Sequence, residues 1–208
     1  MINTLKSIKH QIFLQKVNRE KKRAALAHRE SREFKQRYAS LEETFTRTEL
    51  PTGPFIWGIA MVKNEADIIE RTIRHLFDQG VERILVADNG STDGTYELLL
   101  TLSETLPVYV IQDREVAYYQ SEKMTWLADR VTEAGAEWII PFDADEFWYG
   151  VSAPLAEVLR SQKGRTVELT KLYNIFPSVD GTYFNIDPKP YWDLKVCFTA
   201  WEGSVITM

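Results

Sequence analysis

The chain has 208 residues, of which 44% are hydrophobic and 12% aromatic, and these values are typical of one globular domain with a short appendage. A single cysteine, Cys197, excludes an internal disulfide framework, and there is no secretory signal and no apolar run near the roughly 20 residues of a membrane-spanning helix, so we expect a cytoplasmic protein. The net charge of −5 is unevenly distributed, because residues 1–49 hold 12 Lys and Arg against 6 Asp and Glu, whereas the remainder holds 13 against 24.

The first fifty residues form a basic arm that we expect to be helical. The arm has neither glycine nor proline before LPTGP at Leu50–Pro54, and apolar residues recur at helical spacing at Ile2, Leu5, Ile8, Ile12 and Phe13. One interpretation is an amphipathic helix that rests on the anionic inner face of a membrane. The alternatives are a helix packed on the body or on a sister chain, or a partly disordered segment. We therefore predict a basic helical arm at residues 1–50 and a globular domain at residues 51–208.

Short apolar strands alternate with helices over the next hundred residues. The predicted strands are Ile56–Val62, Arg83–Ala87, Val108–Ile111 and Glu137–Phe142. The first predicted helix is capped by Asn64, buries a stripe of Ile69, Ile73, Leu76 and Phe77, and ends at Gly80; the next two are Tyr96–Leu102 and Ser121–Ala134. Continuously apolar strands separated by helices predict an α/β sandwich with a mostly parallel sheet covered on both faces.

The pattern changes after Gly150. A short helix is predicted at Pro154–Ser161, followed by strands at Thr166–Ile175, near Lys195–Phe198 and at Val205–Met208. The globular domain thus divides into a regular first half, at about residues 55–150, and a less regular second half, at residues 151–208.

Polar clusters follow three of the predicted strands directly. They are Lys63-Asn64-Glu65, Asp88-Asn89 and Asp143-Ala144-Asp145-Glu146. Ligands of open α/β sheets bind in the crevice beyond the carboxyl ends of the strands. If these strands are neighbours, the three clusters converge on one edge of the sheet, and that edge is the predicted site.

A bound cation would explain the acidic cluster. Asp143 and Asp145 would repel each other, but two residues apart in extended chain they lie on the same side and can share a hard ion. Mg²⁺ and similar ions take oxygen ligands, commonly one or two carboxylates together with substrate phosphates. The alternative is an acidic turn in which Asp143 is only a cap.

Several other sites are excluded or disfavoured by the sequence. His10, His28 and His75 fall on predicted helices away from the polar clusters, so a histidine metal centre or a Ser-His-Asp triad is not expected. The GSTDGT segment has no lysine after its glycines, which excludes a Walker-type phosphate loop, and its Asp93 is predicted to cap the following helix.

Three motifs in the same order resemble one known family. The segments MVKNEADIIERTIRHL, GVERILVADNGSTDGT and WIIPFDADEF, within Trp57–Trp148, resemble the nucleotide-binding half of family 2-type glycosyltransferases, and in particular bacterial members with VKNE and DADEF signatures. The resemblance implies the GT-A fold, a Rossmann-like α/β/α sandwich. It also implies inverting transfer of a sugar from a nucleotide donor, usually UDP-linked, to a glycan or lipid-linked acceptor, with Mn²⁺ or Mg²⁺. Residues 55–150 would then be the nucleotide-binding half and residues 151–208 a partial acceptor half.

Roles for individual residues follow from the resemblance. Donor-binding positions would be Lys63, Asn64, Glu65, Asp88, Asn89, Lys123 and Asp143, with Asp88 at the uridine and Lys123 near the phosphates. Asp143 and Asp145 match the D-x-D pair that holds the metal against the diphosphate. For Lys123 the alternative is a solvated helix lysine. All these positions follow Pro54, so we expect the arm to be dispensable for donor binding.

The resemblance also implies a general base late in the chain. Family members usually supply an Asp or Glu well after D-x-D, and the candidates here are Asp193 and Glu202. Members of the family generally continue beyond the point where this sequence stops. The alternative to an active transferase is therefore a truncated, non-catalytic protein that binds the nucleotide sugar or is recruited to a membrane.

Overall fold

The structure, a computed structural model, describes residues 20, 23–150, 153–162, 167–169, 176–177, 183–184 and 196–199. The helices are α1 at residues 23–29, α2 Arg32–Thr44, α3 Ile69–Asp78, α4 Thr95–Ser103, α5 Gln120–Glu133 and α6 Leu155–Ser161. The strands are β1 Ile56–Val62, β2 Arg83–Asp88, β3 Val108–Gln112, β4 Trp138–Pro141, β5 Val167–Leu169, β6 Phe176–Pro177, β7 Tyr183–Phe184 and β8 Val196–Thr199. The predicted strand at Val205–Met208 lies outside the described residues.

The main sheet has six strands in the order β3-β2-β1-β4-β8-β5. Strands β3, β2, β1 and β4 are parallel, whereas β8 runs antiparallel to both β4 and β5. Strand β1 pairs with β2 on one side and with β4 on the other. The predicted mostly parallel α/β sheet is therefore confirmed, and the strands that precede the three polar clusters are neighbours.

Strands β1, β2 and β4 are largely buried on both faces, as their apolar sequences require. On one face Ile56, Ala60 and Val62 of β1 pack with side chains of α3, α4 and α6. On the opposite face Trp57 and Ile59 of β1 pack with side chains of α5. Alternate residues of one strand thus enter two apolar clusters, as the two-residue period of a strand requires.

The second half of the arm packs on the body. Helix α2 begins after Ser31, whose side chain accepts a hydrogen bond from the backbone N–H of Phe34 at 3.1 Å, and Leu41 of α2 is completely buried. Phe45 meets Trp126 of α5 edge-to-face with ring centroids 4.9 Å apart. Leu41 and Phe45 belong to the same apolar cluster as Trp57. Of the three interpretations of the arm, packing on the body describes this segment.

One predicted helix cap is wrong. Helix α3 begins at Ile69, and Ile68 at its N-cap makes no side-chain capping bond. Asn64 lies earlier, in a left-handed conformation with φ of 58°, because it belongs to the loop between β1 and the turn that leads into α3.

Within the described residues, no helix is both long enough and apolar enough to cross a membrane.

Candidate functional site

The carboxyl ends of the central strands form one edge of the sheet, and the three polar clusters lie along it. Val62 at the end of β1 is in register with Asp88 at the end of β2, and the backbone N–H of Asn89 donates to the carbonyl of Val62 at 2.9 Å. The chain order along the sheet reverses between β1 and β4. A crevice for ligands opens at such a reversal in doubly wound sheets.

The loops after β1 and β2 are joined by hydrogen bonds. The backbone N–H of Asn64 donates to the hydroxyl of Ser91 at 2.9 Å, and the Asn64 side-chain oxygen accepts from the N–H of Thr92 at 2.8 Å. The next N–H, that of Glu65, donates to the Thr95 hydroxyl at 2.8 Å. Asn64 therefore fixes the two loops to each other.

Asp93 supports these loops rather than facing a ligand. Its carboxylate accepts from the N–H of Ala66 at 3.1 Å and from the N–H of Thr95 at 3.0 Å. The hydrogen bond from the Thr95 hydroxyl holds the pKa of this carboxyl below its usual range. Gly94 occupies the N-cap position of α4, so Asp93 serves the first turn of the helix from one residue earlier.

Asp88 is a buried carboxylate with one oxygen unused. Only 1% of the residue is exposed. Its Oδ2 atom accepts a hydrogen bond from the N–H of Ser91 at 3.1 Å, whereas Oδ1 has no hydrogen-bond partner among the described residues. Leaving a buried polar atom unpaired is costly, so such an atom calls for an explanation. A donor group on a bound ligand would supply the missing partner.

Asp143 and Asp145 lie in a turn rather than in extended chain. The N–H of Glu146 donates to the carbonyl of Asp143 at 3.0 Å, and a carboxylate oxygen of Glu146 accepts from the N–H of Asp143 at 3.2 Å. The predicted extended geometry is wrong here because Glu146 closes the chain on itself. Asp143 and Asp145 both remain exposed at the surface.

Glu65 lies in the electric field of this acidic turn. Burial raises the pKa of its carboxyl above the ordinary value of 4.5, and neighbouring negative charges raise it further; the charges belong to Asp145, Asp67, Asp93 and Asp143. A carboxylate resists ionisation where acids are crowded together. The acidic clusters after β1 and β4 thus interact electrostatically, as their convergence on one edge requires.

The acidic turn supplies carboxylate oxygens, the kind of ligand that a hard cation takes. In the described part of the chain, no three His, Cys, Asp or Glu residues are grouped so as to hold a metal by themselves. The acidic turn offers the two carboxylates of Asp143 and Asp145, an all-oxygen donor set. Mg²⁺ is commonly bound by one or two carboxylates with substrate phosphates completing its shell.

Lys123 is neither solvated nor free to meet a phosphate. The side chain is completely buried, and Nζ contacts Asp113 Oδ2 at 2.6 Å and donates to the carbonyls of Glu115 at 2.8 Å and Ala117 at 2.6 Å. An ammonium group has three N–H bonds, and these contacts engage all of them. The solvated-lysine alternative is wrong, and the occupied donors disfavour a contact between Lys123 and the donor phosphates.

Asp113 is a site residue that the sequence reasoning missed. Its carboxylate accepts from Lys123 and from the side-chain amide of Asn89 at 2.7 Å. The signal was present, because Asp113 follows β3 directly, just as Asp88 ends β2. The side-chain amide of Asn89 is consequently turned toward Asp113.

Of the remaining predicted site residues, the structure describes one. Lys63 is exposed at the end of β1. Asp193 and Glu202, the general-base candidates, lie outside the described residues, and their roles stay predictions.

A family model and several solved structures resemble the chain. The model for glycosyl transferase family 2 matches residues 59–163, which include all three polar clusters. A comparison with curated protein sequences finds no significant match. Among solved structures, S. aureus TarS 1–349 in complex with UDP aligns at 20% identity and a TM-score of 0.36, covering 43% of this chain and 27% of that one. S. aureus TarS 1–349 aligns at 16% identity and a TM-score of 0.43, covering 69% and 46%. The chain spans less than half the length of these matched structures.

Proposed function

The chain belongs to glycosyl transferase family 2, and from that premise we propose that it transfers a sugar from a nucleotide-diphosphate donor, with UDP as the nucleotide, to a hydroxyl group of a glycan or lipid-linked acceptor. The observation that carries the proposal is the buried Asp88 carboxylate, which lies at the edge where ligands of such sheets bind. Its Oδ1 atom has no hydrogen-bond partner among the described residues. A uracil ring presents an N–H that would satisfy this oxygen.

The loops around Asp88 support a preformed pocket for the nucleoside. The hydrogen bonds of Asn64 to Ser91 and Thr92 hold the loops after β1 and β2 together. Binding then costs little ordering of the protein, since the contacting groups are already positioned. Lys63, Asn64 and Glu65 would line the same crevice at the end of β1.

Asp143 and Asp145 would hold Mn²⁺ or Mg²⁺ against the diphosphate. When bound, the cation would offset the negative charge that develops on the leaving diphosphate. Burial, and in addition the acids of the turn, raise the pKa of Glu65; a cation at the turn would offset the contribution of the acids, which supports this role.

The transfer itself would be a single displacement with inversion. The acceptor oxygen attacks the anomeric carbon, the bond from that carbon to the diphosphate oxygen breaks, and the acceptor proton passes to a base. Asp193 and Glu202 remain the proposed bases. A well-placed general base contributes roughly 10²–10⁴-fold to the rate, so loss of the correct one should nearly abolish transfer.

Thermal unfolding with UDP tests the donor and metal assignment. We expect UDP to raise the Tm in the presence of MnCl₂ and to have little effect without it, because the diphosphate and the carboxylates repel each other. A UDP concentration of 100 times Kd would stabilise the folded protein by about 2.7 kcal/mol. Asp145→Asn should remove the dependence on MnCl₂.

The matched control is Asp78→Asn. Asp78 is an exposed acid at the end of α3, on the opposite edge of the sheet from the acidic turn. If Asp145→Asn and Asp78→Asn respond to UDP and MnCl₂ as the wild type does, the metal assignment is wrong. If UDP has no effect under any condition, the donor assignment is wrong.

A further inference from the structure

The loop from Asp113 to Tyr119, between β3 and α5, borders the proposed donor pocket. The N–H of Asp113 donates to the carbonyl of Asp88 at 2.8 Å, and the Asn89 side-chain amide donates to the carbonyl of Glu115 at 2.7 Å. We call residues 113–119 the rim loop. It contains no regular secondary structure beyond one isolated β-bridge at Asp113. Its position must therefore come from contacts with other segments.

Lys123 holds the rim loop from inside the protein. Its ammonium group binds the Asp113 carboxylate and the carbonyls of Glu115 and Ala117, so one side chain fixes three points of the loop. Asp113 in turn accepts from the N–H of Glu115 at 2.9 Å and from the side-chain amide of Asn89 at 2.7 Å. The buried pair thus links the loop to the residue beside Asp88.

The arm holds the rim loop from outside. Phe45 forms an isolated antiparallel bridge with Asp113, the first residue of the loop. The N–H of Arg114 donates to the carbonyl of Thr44 at 3.1 Å, and the N–H of Thr46 donates to the carbonyl of Gln112 at 3.1 Å. The arm therefore pairs with the chain at the point where β3 ends and the rim loop begins.

Arg37 of α2 adds a charged contact at the far end of the same loop. Its guanidinium lies over the ring of Tyr119, 4.4 Å from the centroid, and its Nη1 atom is 3.4 Å from a carboxylate oxygen of Glu122. Glu122 has 3% of its side chain exposed and therefore needs a partner for its charge. The loop is thus tied to the arm at both ends and to Lys123 in the middle.

We propose that the arm and the Asp113–Lys123 pair form a clamp on the rim loop that positions Asp88 and Asn89 for the nucleotide, so that Arg37, Asp113 and Lys123 are positioning residues of the donor site. The inference rests on the proposed function, since it takes Asp88 as the nucleotide contact. It reverses the expectation that the arm is dispensable for donor binding.

The clamp is tested by comparing two arginines that tie the arm to α5. Arg37 pairs with Glu122 next to the rim loop, whereas Arg29 pairs with Asp129 at 2.7 Å. Asp129 lies six residues beyond Lys123, roughly 9 Å along the helix and away from the loop. The two arginine side chains are similarly exposed, at 34% and 31%, so their loss should disturb the docking of the arm to a similar extent.

The measurement is the Kd for UDP in the presence of MnCl₂, by calorimetry on the full chain. We expect Arg37→Gln to raise the Kd by about tenfold, as typically happens when a residue that orients a binding group is lost. Arg29→Gln should leave the Kd unchanged, and Arg37→Lys should recover part of the loss because it keeps the charge beside Glu122. Lys123→Met should weaken binding at least as much as Arg37→Gln, provided that it folds.

Hydrogen exchange gives a second readout that needs no ligand. The amides of Glu115 and Ala117 are hydrogen-bonded within the loop and should exchange faster in Arg37→Gln than in Arg29→Gln. Equal Kd values for the two arginine variants, with wild-type binding intact, would overturn the clamp and leave the proposed function standing. A wild type that binds no UDP would instead overturn the proposed function, and the positioning role with it.

Discussion

The edge formed by the carboxyl ends of the central strands has two halves, and their side chains are held in different ways. Around Asp88 the side chains are buried and hydrogen-bonded, and Asn89, Asp113 and Lys123 form a closed network. Around the turn that contains Asp143 and Asp145 the carboxylates are exposed, and they oppose the ionisation of Glu65. In the first half the described residues hydrogen-bond to one another, and Oδ1 of Asp88 has no partner among them. The other half brings several acids close enough to Glu65 to raise the pKa of its carboxyl beyond the effect of burial.

This contrast suggests a division of labour within the proposed donor site. Buried, satisfied polar networks rigidify their surroundings and fix one geometry. Exposed carboxylates contribute charge at little structural cost. We infer that the half around Asp88 recognises the nucleoside through a carboxylate held in one geometry, whereas the acidic half responds to the metal and the diphosphate. Variants in the first half should change stability or UDP affinity, and variants in the second should change the dependence on pH and metal.

The largest expected effect is a loss of stability when the packing of the arm on the body is weakened. Leu41→Ala removes a completely buried side chain that packs in the same cluster as Trp57, and such a change typically costs about 2–5 kcal/mol of unfolding free energy. The measurement is the midpoint and slope of chemical denaturation. Leu26→Ala is the matched control in the arm, because 44% of Leu26 is exposed and its loss should cost little. Equal, small effects would mean that the arm does not stabilise the body.

A smaller but more specific effect is expected at Asp88. Asp88→Asn removes the charge from an oxygen that has no partner in the described part of the chain, so the free protein should lose little stability. UDP binding should weaken, since a hydrogen bond to a charged group is worth about 1.5–3 kcal/mol, or about tenfold to hundredfold in Kd. Calorimetry with MnCl₂ measures the Kd, and Asp78→Asn controls for the loss of one negative charge. An unchanged Kd for Asp88→Asn would show that Oδ1 does not contact the nucleotide.

The strands and helices of the body were largely predictable from the sequence. The predicted strand Ile56–Val62 coincides with β1, and the predicted ends of α5 differ from the observed ends by one residue, since long apolar runs and flanking glycines mark them. The convergence of the polar clusters followed from parallel neighbouring strands and is confirmed for β1, β2 and β4.

The contacts that complete the site were not predictable in this way. Lys123 was expected on a helix, but its burial depends on a loop that folds back over it and on a carboxylate ten residues earlier. The left-handed Asn64 and the docked arm likewise depend on hydrogen bonds between distant segments. Hydrophobic periodicity reports which face of an element is buried and carries no information about such pairings.

The smallest expected effect is a pH dependence at Glu65 that tests the acidic half. Burial and the neighbouring acids raise the pKa of this carboxyl in the folded protein, so above the ordinary value of 4.5 there is a window in which the folded state holds a proton that the unfolded state has released. Stability in that window should therefore increase as the pH is lowered toward 4.5 and decrease as the pH is raised.

The measurement is the unfolding free energy of the metal-free protein across that window, compared with Glu65→Gln. The variant cannot ionise at this position, so this contribution to the slope should be absent. Adding MnCl₂ and UDP to the wild type should also reduce the slope of the unfolding free energy with pH. The reason is that a cation beside the acidic turn favours the charged form of Glu65 and lowers its pKa. Identical slopes for the wild type and Glu65→Gln would mean that the carboxylates around the turn do not act on Glu65. The electrostatic contrast between the two halves of the edge would then be lost.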